Sequence, residues 1–284
     1  MKKVLTKILL LALALVFTVA TFGCGKTKEA EITFTVYSAD GATTESEEVV
    51  LKIDLYKRSA PKTVEQFINL AKEGYYNNTF FYMLGDSDYA SQLMLGKLKY
   101  TGNYSIEGTN KQYEVVKNKE VAPIKGEFDK NGVTGSELKN TKYSIGLWRR
   151  FDLNSDNFTA FGEKTYDTGS SSLYFLNSDK ASYNGNFAVF AQIQEDYKET
   201  FDDLMNQVKN IENYEEYTIY YTGTDAENLK FNIALSEDYD EMVDNNKIAD
   251  LFEPEEDGKY YYLAPMTVKI PVAGKRIVLK SIEF

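Results

Sequence analysis

Between residues 50 and 84 a strand, a helix and a second strand follow one another with clear punctuation, and few folds accommodate that order. Leu51-Lys52-Ile53-Asp54-Leu55-Tyr56 alternates apolar and charged residues, the period of a half-buried strand. Ser59 suits a helix N-cap, and Pro61 falls in the first turn, where its missing N–H costs nothing. Val64, Phe67, Ile68 and Ala71 recur at helical spacing, so a helix over residues 62–73 buries one face, and Gly74 ends it. Phe80-Phe81-Tyr82-Met83-Leu84 then reads as a strand apolar on both sides.

The rest of the chain continues in short strands. They are predicted over residues 32–37, 48–56, 89–95, 143–148, 173–176, 187–193 and 277–284, with a second helix over 201–210 carried by Phe201, Leu204, Met205 and Val208. Residues 96–122 are polar and read as an excursion holding a hairpin. Strands and helices do not alternate regularly, so the fold class is mainly β, an antiparallel barrel. Residues 211–262 form an acidic, Tyr-rich block containing Phe252-Glu253-Pro254-Glu255-Glu256-Asp257. It is either a surface insertion in a loop or a partner-binding subdomain; its length and scarcity of Gly and Pro predict order.

Composition excludes several chemistries. The 284 residues hold no histidine and one cysteine, so the commonest general base, an internal disulfide and thiolate metal clusters are all ruled out. The net charge of −11 opposes nucleic-acid binding through phosphate neutralisation. Asp152, Asn154, Asp156 and Glu163 match the spacing of a calcium loop, but Asn157 stands where Gly is preferred and the flanks are not helical. No metal and no cofactor is therefore assigned.

At the N-terminus, Lys2, Lys3 and Lys7 precede an apolar run over residues 8–20 that is short for a membrane span. Thr21-Phe22-Gly23-Cys24-Gly25 follows, which resembles a bacterial lipoprotein cleavage site. The expected organisation is a signal peptide over 1–23, a tether over 24–31 lipidated at Cys24, and a folded domain over 32–284. A diacylated Cys24 anchors stably, whereas one acyl chain is marginal. The expected location is the extracytoplasmic face of a bacterial membrane, with the bilayer contacted through that cysteine.

The strand–helix–strand segment resembles the opening of a cyclophilin, the peptidyl-prolyl isomerase family, which reads L-Y…A-P-x-T-V-x-N-F…G-Y-Y-x-x-x-x-F-H-R-V. Further matches follow in order. Tyr89-Ala90-Ser91-Gln92 resembles F-M-I-Q, and Gly126-Glu127-Phe128 with Leu138 resembles G-E-F…L-x-H. Ile145-Gly146-Leu147-Trp148-Arg149 resembles I-S-M-A-R, and Ser171-Ser172-Leu173-Tyr174-Phe175-Leu176 resembles S-S-Q-F-F-I. Tyr183-Asn184-Gly185-Asn186-Phe187-Ala188-Val189-Phe190 resembles L-D-G-x-x-x-V-F. The resemblance implies a closed eight-stranded antiparallel barrel capped by two helices, with residues 211–262 as a C-terminal insertion foreign to the family.

It also implies a site. Prolyl isomerisation twists an amide against a barrier of about 18–20 kcal/mol. The family aims a guanidinium at the prolyl nitrogen, a donor that binds the twisted state preferentially. That arginine position is Met83, and a thioether has no N–H to give, so no catalytic residue is assigned. The implied peptide-binding residues are Tyr89, Gln92, Trp148, Phe175, Tyr183 and Phe187, with Trp148 where the family has Ala, Leu173 in place of Gln, and Ser182 and Phe187 where Trp and His are common. Tyr89, Phe175 and Phe190 read equally well as barrel core. Arg149 or Arg150 is either a replacement donor or surface charge. Two functions follow from the resemblance: an anchored prolyl isomerase or foldase acting on proline-containing exported chains, or a catalytically inactive peptide- or protein-binding module. A solute-binding lipoprotein is the third reading, disfavoured by the lack of alternating helices and strands. The oligomeric state is left open.

Overall fold

The computed structural model describes residues 27–38, 46–84, 92–100, 113–116, 121–133, 138–149, 165–209, 214–222, 230–244, 266–271 and 275–284. The signal segment, Cys24, Tyr89, Arg150 and the calcium-like loop lie outside them.

The first strand, β1 (Lys28–Ser38), buries Ala30, Ile32, Phe34 and Val36 and turns the intervening residues outward. It starts four residues earlier than the spacing predicts. Residues 28–31, read as tether, pair with β2 (Ser46–Leu55) from Lys28 opposite Leu55 onward, and the Thr27 N–H donates to the Leu55 carbonyl at 2.8 Å. In β2 the same alternation buries Leu51, Ile53 and Leu55.

Helix α1 (Pro61–Lys72) follows the expected boundaries and turns Val64, Phe67, Leu70 and Ala71 inward. Its N-cap is Ala60, which offers no capping side chain; Ser59 belongs to the preceding turn, its N–H donating to Tyr56 O at 3.0 Å. Remote Glu127, 4% exposed, serves instead, accepting from the amides of Lys62 (2.9 Å) and Thr63 (2.8 Å) and from the Thr63 hydroxyl (2.8 Å). Gly74, at φ +69°, closes the helix: its N–H reaches Ala71 O and that of Tyr75 reaches Leu70 O, the paired bonds of a Schellman turn.

The chain continues through β3 (Met83–Leu84), β4 (Gln92–Leu95) and the hairpin of β5 (Leu98–Tyr100) with β6 (Tyr113–Val115), the hairpin expected within 96–122. Next come β7 (Ser144–Leu147), β8 (Leu173–Leu176), β9 (Val189–Ile193) and helix α2 (Lys198–Lys209). The acidic block supplies β10 (Tyr214–Thr222), β11 (Lys230–Leu235) and a third helix, α3 (Ser236–Asp244), beyond the two expected. Strands β12 (Met266–Pro271) and β13 (Lys275–Glu283) end the chain. Among the described residues no helix is long and apolar enough to cross a membrane.

Seven strands form a curled antiparallel sheet, a half-barrel, in the order β13-β1-β2-β9-β7-β8-β4. Its concave side holds the main core, including Phe34, Phe81, Met83, Phe175 and Phe190, which α1 and α2 cover at the ends. Phe201, Leu204, Met205 and Val208 of α2 are buried, and its Asp202 accepts from Lys142 Nζ and the Tyr143 hydroxyl, both at 2.9 Å. A second antiparallel sheet has the order β11-β10-β12-β3. Its buried residues Ile219, Val268 and Ile270 belong to a second apolar cluster on the outer side.

Candidate functional site

The outer cluster is where the peptide face is expected. It gathers Phe80, Tyr82, Met94, Trp148, Tyr174 and Phe187, with Tyr183 packed against it. Backbone alternation explains the membership: Phe80 and Tyr82 point outward while Phe81 and Met83 point into the core, and Tyr174 points outward while Leu173 and Phe175 point inward.

Four rings form its centre. Trp148 stacks on Phe187, and Tyr174 meets Trp148 edge-on at 6.2 Å and Phe187 edge-on at 5.8 Å. Tyr183 lies 4.7 Å from Phe187. Trp148 is 8% exposed, Phe187 3% and Tyr174 0%, so the rings fill this face. Gly146 makes the space: a Cβ there would stand 2.0 Å from the Tyr174 ring directly across the strand pair. The Tyr174 hydroxyl donates to Asn140 Oδ1 at 2.5 Å.

At the edge of the cluster the Tyr183 hydroxyl donates to Gln92 Oε1 at 2.7 Å, and Gln92 Nε2 lies 3.1 Å from Met94 Sδ. Gln92 and Tyr183 are half-buried and form the polar rim. Burial pushes the Tyr183 phenol up to about 12, against a smaller opposing effect of the Gln92 hydrogen bond. Burial also holds the Tyr174 phenol well above its ordinary value.

Of the residues predicted to bind peptide, Gln92, Trp148, Tyr183 and Phe187 come together here. Phe175 does not: it faces the core, edge-on to Phe81 at 5.1 Å, and Tyr174 holds the outer position beside it. Tyr89 lies outside the described residues. Met83 is 3% exposed and also faces the core. Tyr82, Met94 and Tyr174 were not picked out from the sequence. The signal for them is alternation, since each is one position from a core residue.

Arg149 is turned into the fold. The residue is 2% exposed, and its guanidinium lies over Phe128, Tyr166 and Phe187 at 5.2, 5.1 and 4.9 Å. Its Nε donates to Asn186 O at 2.9 Å and its Nη1 to Thr165 Oγ1. Those bonds hold the group inside the fold, behind Phe187.

The second sheet completes the site. The β3 ladder pairs Leu84 with Val268 and Met83 with Lys269, so the strand carrying the family's arginine position is bordered by β12.

Two solved structures of a Cryptosporidium parvum cyclophilin type peptidyl-prolyl cis-trans isomerase are similar to this chain. One, solved in the presence of the dipeptide Ala-Pro, has 15% identity and a TM-score of 0.41, with 90% of this chain and 98% of the other covered. The second has 14% identity and a TM-score of 0.38, with 88% and 98% covered. No curated protein matches the sequence. The family model for "Cyclophilin type peptidyl-prolyl cis-trans isomerase/CLD" matches residues 42–223, more than half of the chain, which therefore belongs to the cyclophilin-type peptidyl-prolyl cis-trans isomerase family.

Proposed function

We propose that this cyclophilin-type domain holds extended, proline-containing segments of exported proteins at the extracytoplasmic face of a bacterial membrane, without appreciable isomerase catalysis. The observation that carries this reading is the direction of Met83. The family's arginine position is filled by a thioether that faces the core at 3% exposure, and Arg149 donates from Nε and Nη1 to Asn186 O and Thr165 Oγ1 inside the fold. A twisted prolyl amide gains from a preorganised donor at its nitrogen, and neither residue offers one there.

Anchoring through a lipidated Cys24 is part of the proposal. It is supported by the Lys-headed apolar run and the Gly23-Cys24 step. Because β1 starts at Lys28, the residues between the lipid and the domain are Gly25, Lys26 and Thr27. They reach at most about 10–14 Å, which keeps the domain close to the bilayer.

A closed eight-stranded barrel also belongs to the proposal, with residues 79–84 as the eighth strand. Its support is a set of backbone bonds from that segment to both edges of the half-barrel. Toward β13, Leu279 N–H donates to Thr79 O at 2.7 Å and Phe81 N–H to Ile277 O at 3.2 Å; toward β4, Tyr82 and Met94 exchange bonds of 3.1 and 2.9 Å.

A second reading, a prolyl isomerase or foldase, is favoured by Gln92, which keeps the family's glutamine at the half-buried rim. Exchange NMR on an Xaa-Pro peptide separates the two. The expected result is line broadening by the peptide-bound state with no faster cis–trans exchange. Acceleration near that of an ordinary cyclophilin would overturn the proposal in favour of the second reading.

A further inference from the structure

Strand β12, which follows the acidic block, lies along the edge of β3. It reads Met-Thr-Val-Lys-Ile-Pro; Pro271 ends it and Pro265 immediately precedes it, so two of the chain's five prolines flank one extended segment. Val268 and Ile270, both 0% exposed, belong to the same buried cluster as Tyr82, Met94 and Trp148. Lys269, between them, points away from these two and pairs with Glu216 at 3.4 Å. The family match covers residues 42–223, which include β3 and β10; β12 follows it in the chain.

The strength of its attachments is uneven. Six residue pairs tie β12 to β10, whereas two, Val268 with Leu84 and Lys269 with Met83, tie it to β3. Within this sheet the β12–β3 ladder is thus the shorter of the two that β12 makes.

We infer that β12 is a self-ligand: it fills the β3 edge and the outer aromatic cluster, and an extended, apolar, proline-containing strand of another protein binds there by displacing it. Strand addition of this kind takes affinity from main-chain hydrogen bonds and specificity from alternate side chains. Val268 and Ile270 give the pattern of that partner strand, apolar residues two apart with proline following. The inference rests on the peptide-holding reading proposed above.

The test uses the full chain in detergent, with Cys24→Ser, and a hexapeptide with the β12 sequence as probe. Trp148 is the chain's only tryptophan, so its fluorescence reports directly on the cluster. In Val268→Asp, acrylamide quenching of Trp148 is expected to rise at least threefold and peptide affinity at least tenfold, with circular dichroism verifying the fold. Because that variant risks unfolding, Leu84→Cys with Val268→Cys provides a second arm: peptide binding is expected to fall at least tenfold on oxidation and to return on reduction. Equal peptide binding by the oxidised and reduced forms would overturn the self-ligand while leaving the peptide-holding reading intact. A folded Val268→Asp with exposed Trp148 that binds no peptide would overturn both.

Discussion

The Trp148 indole lies nearly parallel to the Phe187 ring, with centroids 5.1 Å apart and planes at 16°. The I-S-M-A-R motif that residues 145–149 resemble carries Ala at this position, and here the indole, 8% exposed, is packed into the outer cluster. Trp148→Ala is expected to lose about 3–5 kcal/mol, the range for deleting a buried aromatic ring. Urea unfolding followed by circular dichroism measures it. A loss under about 1 kcal/mol would mean that the indole is not part of the packed structure.

Met83→Arg restores the family's residue in name only. The side chain at this position enters the apolar core that also holds Phe81, so the new guanidinium is buried among apolar side chains. The expected result is a loss of several kcal/mol in stability and no gain in prolyl exchange. Faster exchange with unchanged thermal stability would show that residue 83 turns outward, and the non-catalytic reading would then fail.

The half-barrel was legible because its strands announce themselves locally. Alternation in β1 and β2, the Pro61 start and Gly74 stop of α1, and the spacing of Phe201, Leu204, Met205 and Val208 each sit within a few residues. What was not legible is which side of a fully buried strand faces which neighbour. Leu173, Tyr174, Phe175 and Leu176 are all buried, as are Phe80, Phe81, Tyr82 and Met83, so hydrophobicity does not separate core from outer face. Phe175 therefore reads equally well as groove lining or barrel core, and composition does not single out Tyr174 as its outward neighbour. The pairing of β12 with β3 joins residues far apart in the chain, and nothing in either segment's composition marks the other. Glu127 was visible as part of a motif, but its capping of α1 depends on the same kind of distant contact.

Glu127→Ala leaves the first amides of α1 without their acceptor in a buried setting. Three hydrogen bonds to a carboxylate are lost, and the expected destabilisation is about 2–3 kcal/mol, more than an exposed N-cap typically contributes. Glu127→Gln keeps an acceptor without the charge and is expected to fall between. Amide hydrogen exchange at Lys62 and Thr63 locates the effect; protection unchanged in Glu127→Ala would contradict the capping role.

Gly146→Ala tests the packing of Tyr174. The added methyl would overlap the Tyr174 ring, which is boxed in by Trp148, Tyr183 and Phe187. Overpacking of this kind costs about 1–3 kcal/mol. The Tyr174–Asn140 hydrogen bond is expected to break, so Asn140→Ala should add little in the Gly146→Ala background. Fully additive losses in that double-mutant cycle would show that the two sites are independent.

The phenol of Tyr183, raised to about 12 by burial, makes the fold sensitive to alkali. Below its ordinary value of 10.0 the group is protonated in both the folded and unfolded chains, and its contribution is fully present. Between pH 10 and 12 the unfolded chain ionises first, which favours unfolding, so stability falls as pH rises through that window by up to about 3 kcal/mol. The buried Tyr174 phenol, also raised, acts in the same direction. Tyr183→Phe removes one ionising group together with its bond to Gln92, so the variant is expected to be slightly less stable at pH 8 yet to lose less between pH 9 and 11.5. Urea midpoints at those pH values decide it: a pH slope unchanged in Tyr183→Phe would mean that this phenol is not held neutral by the cluster.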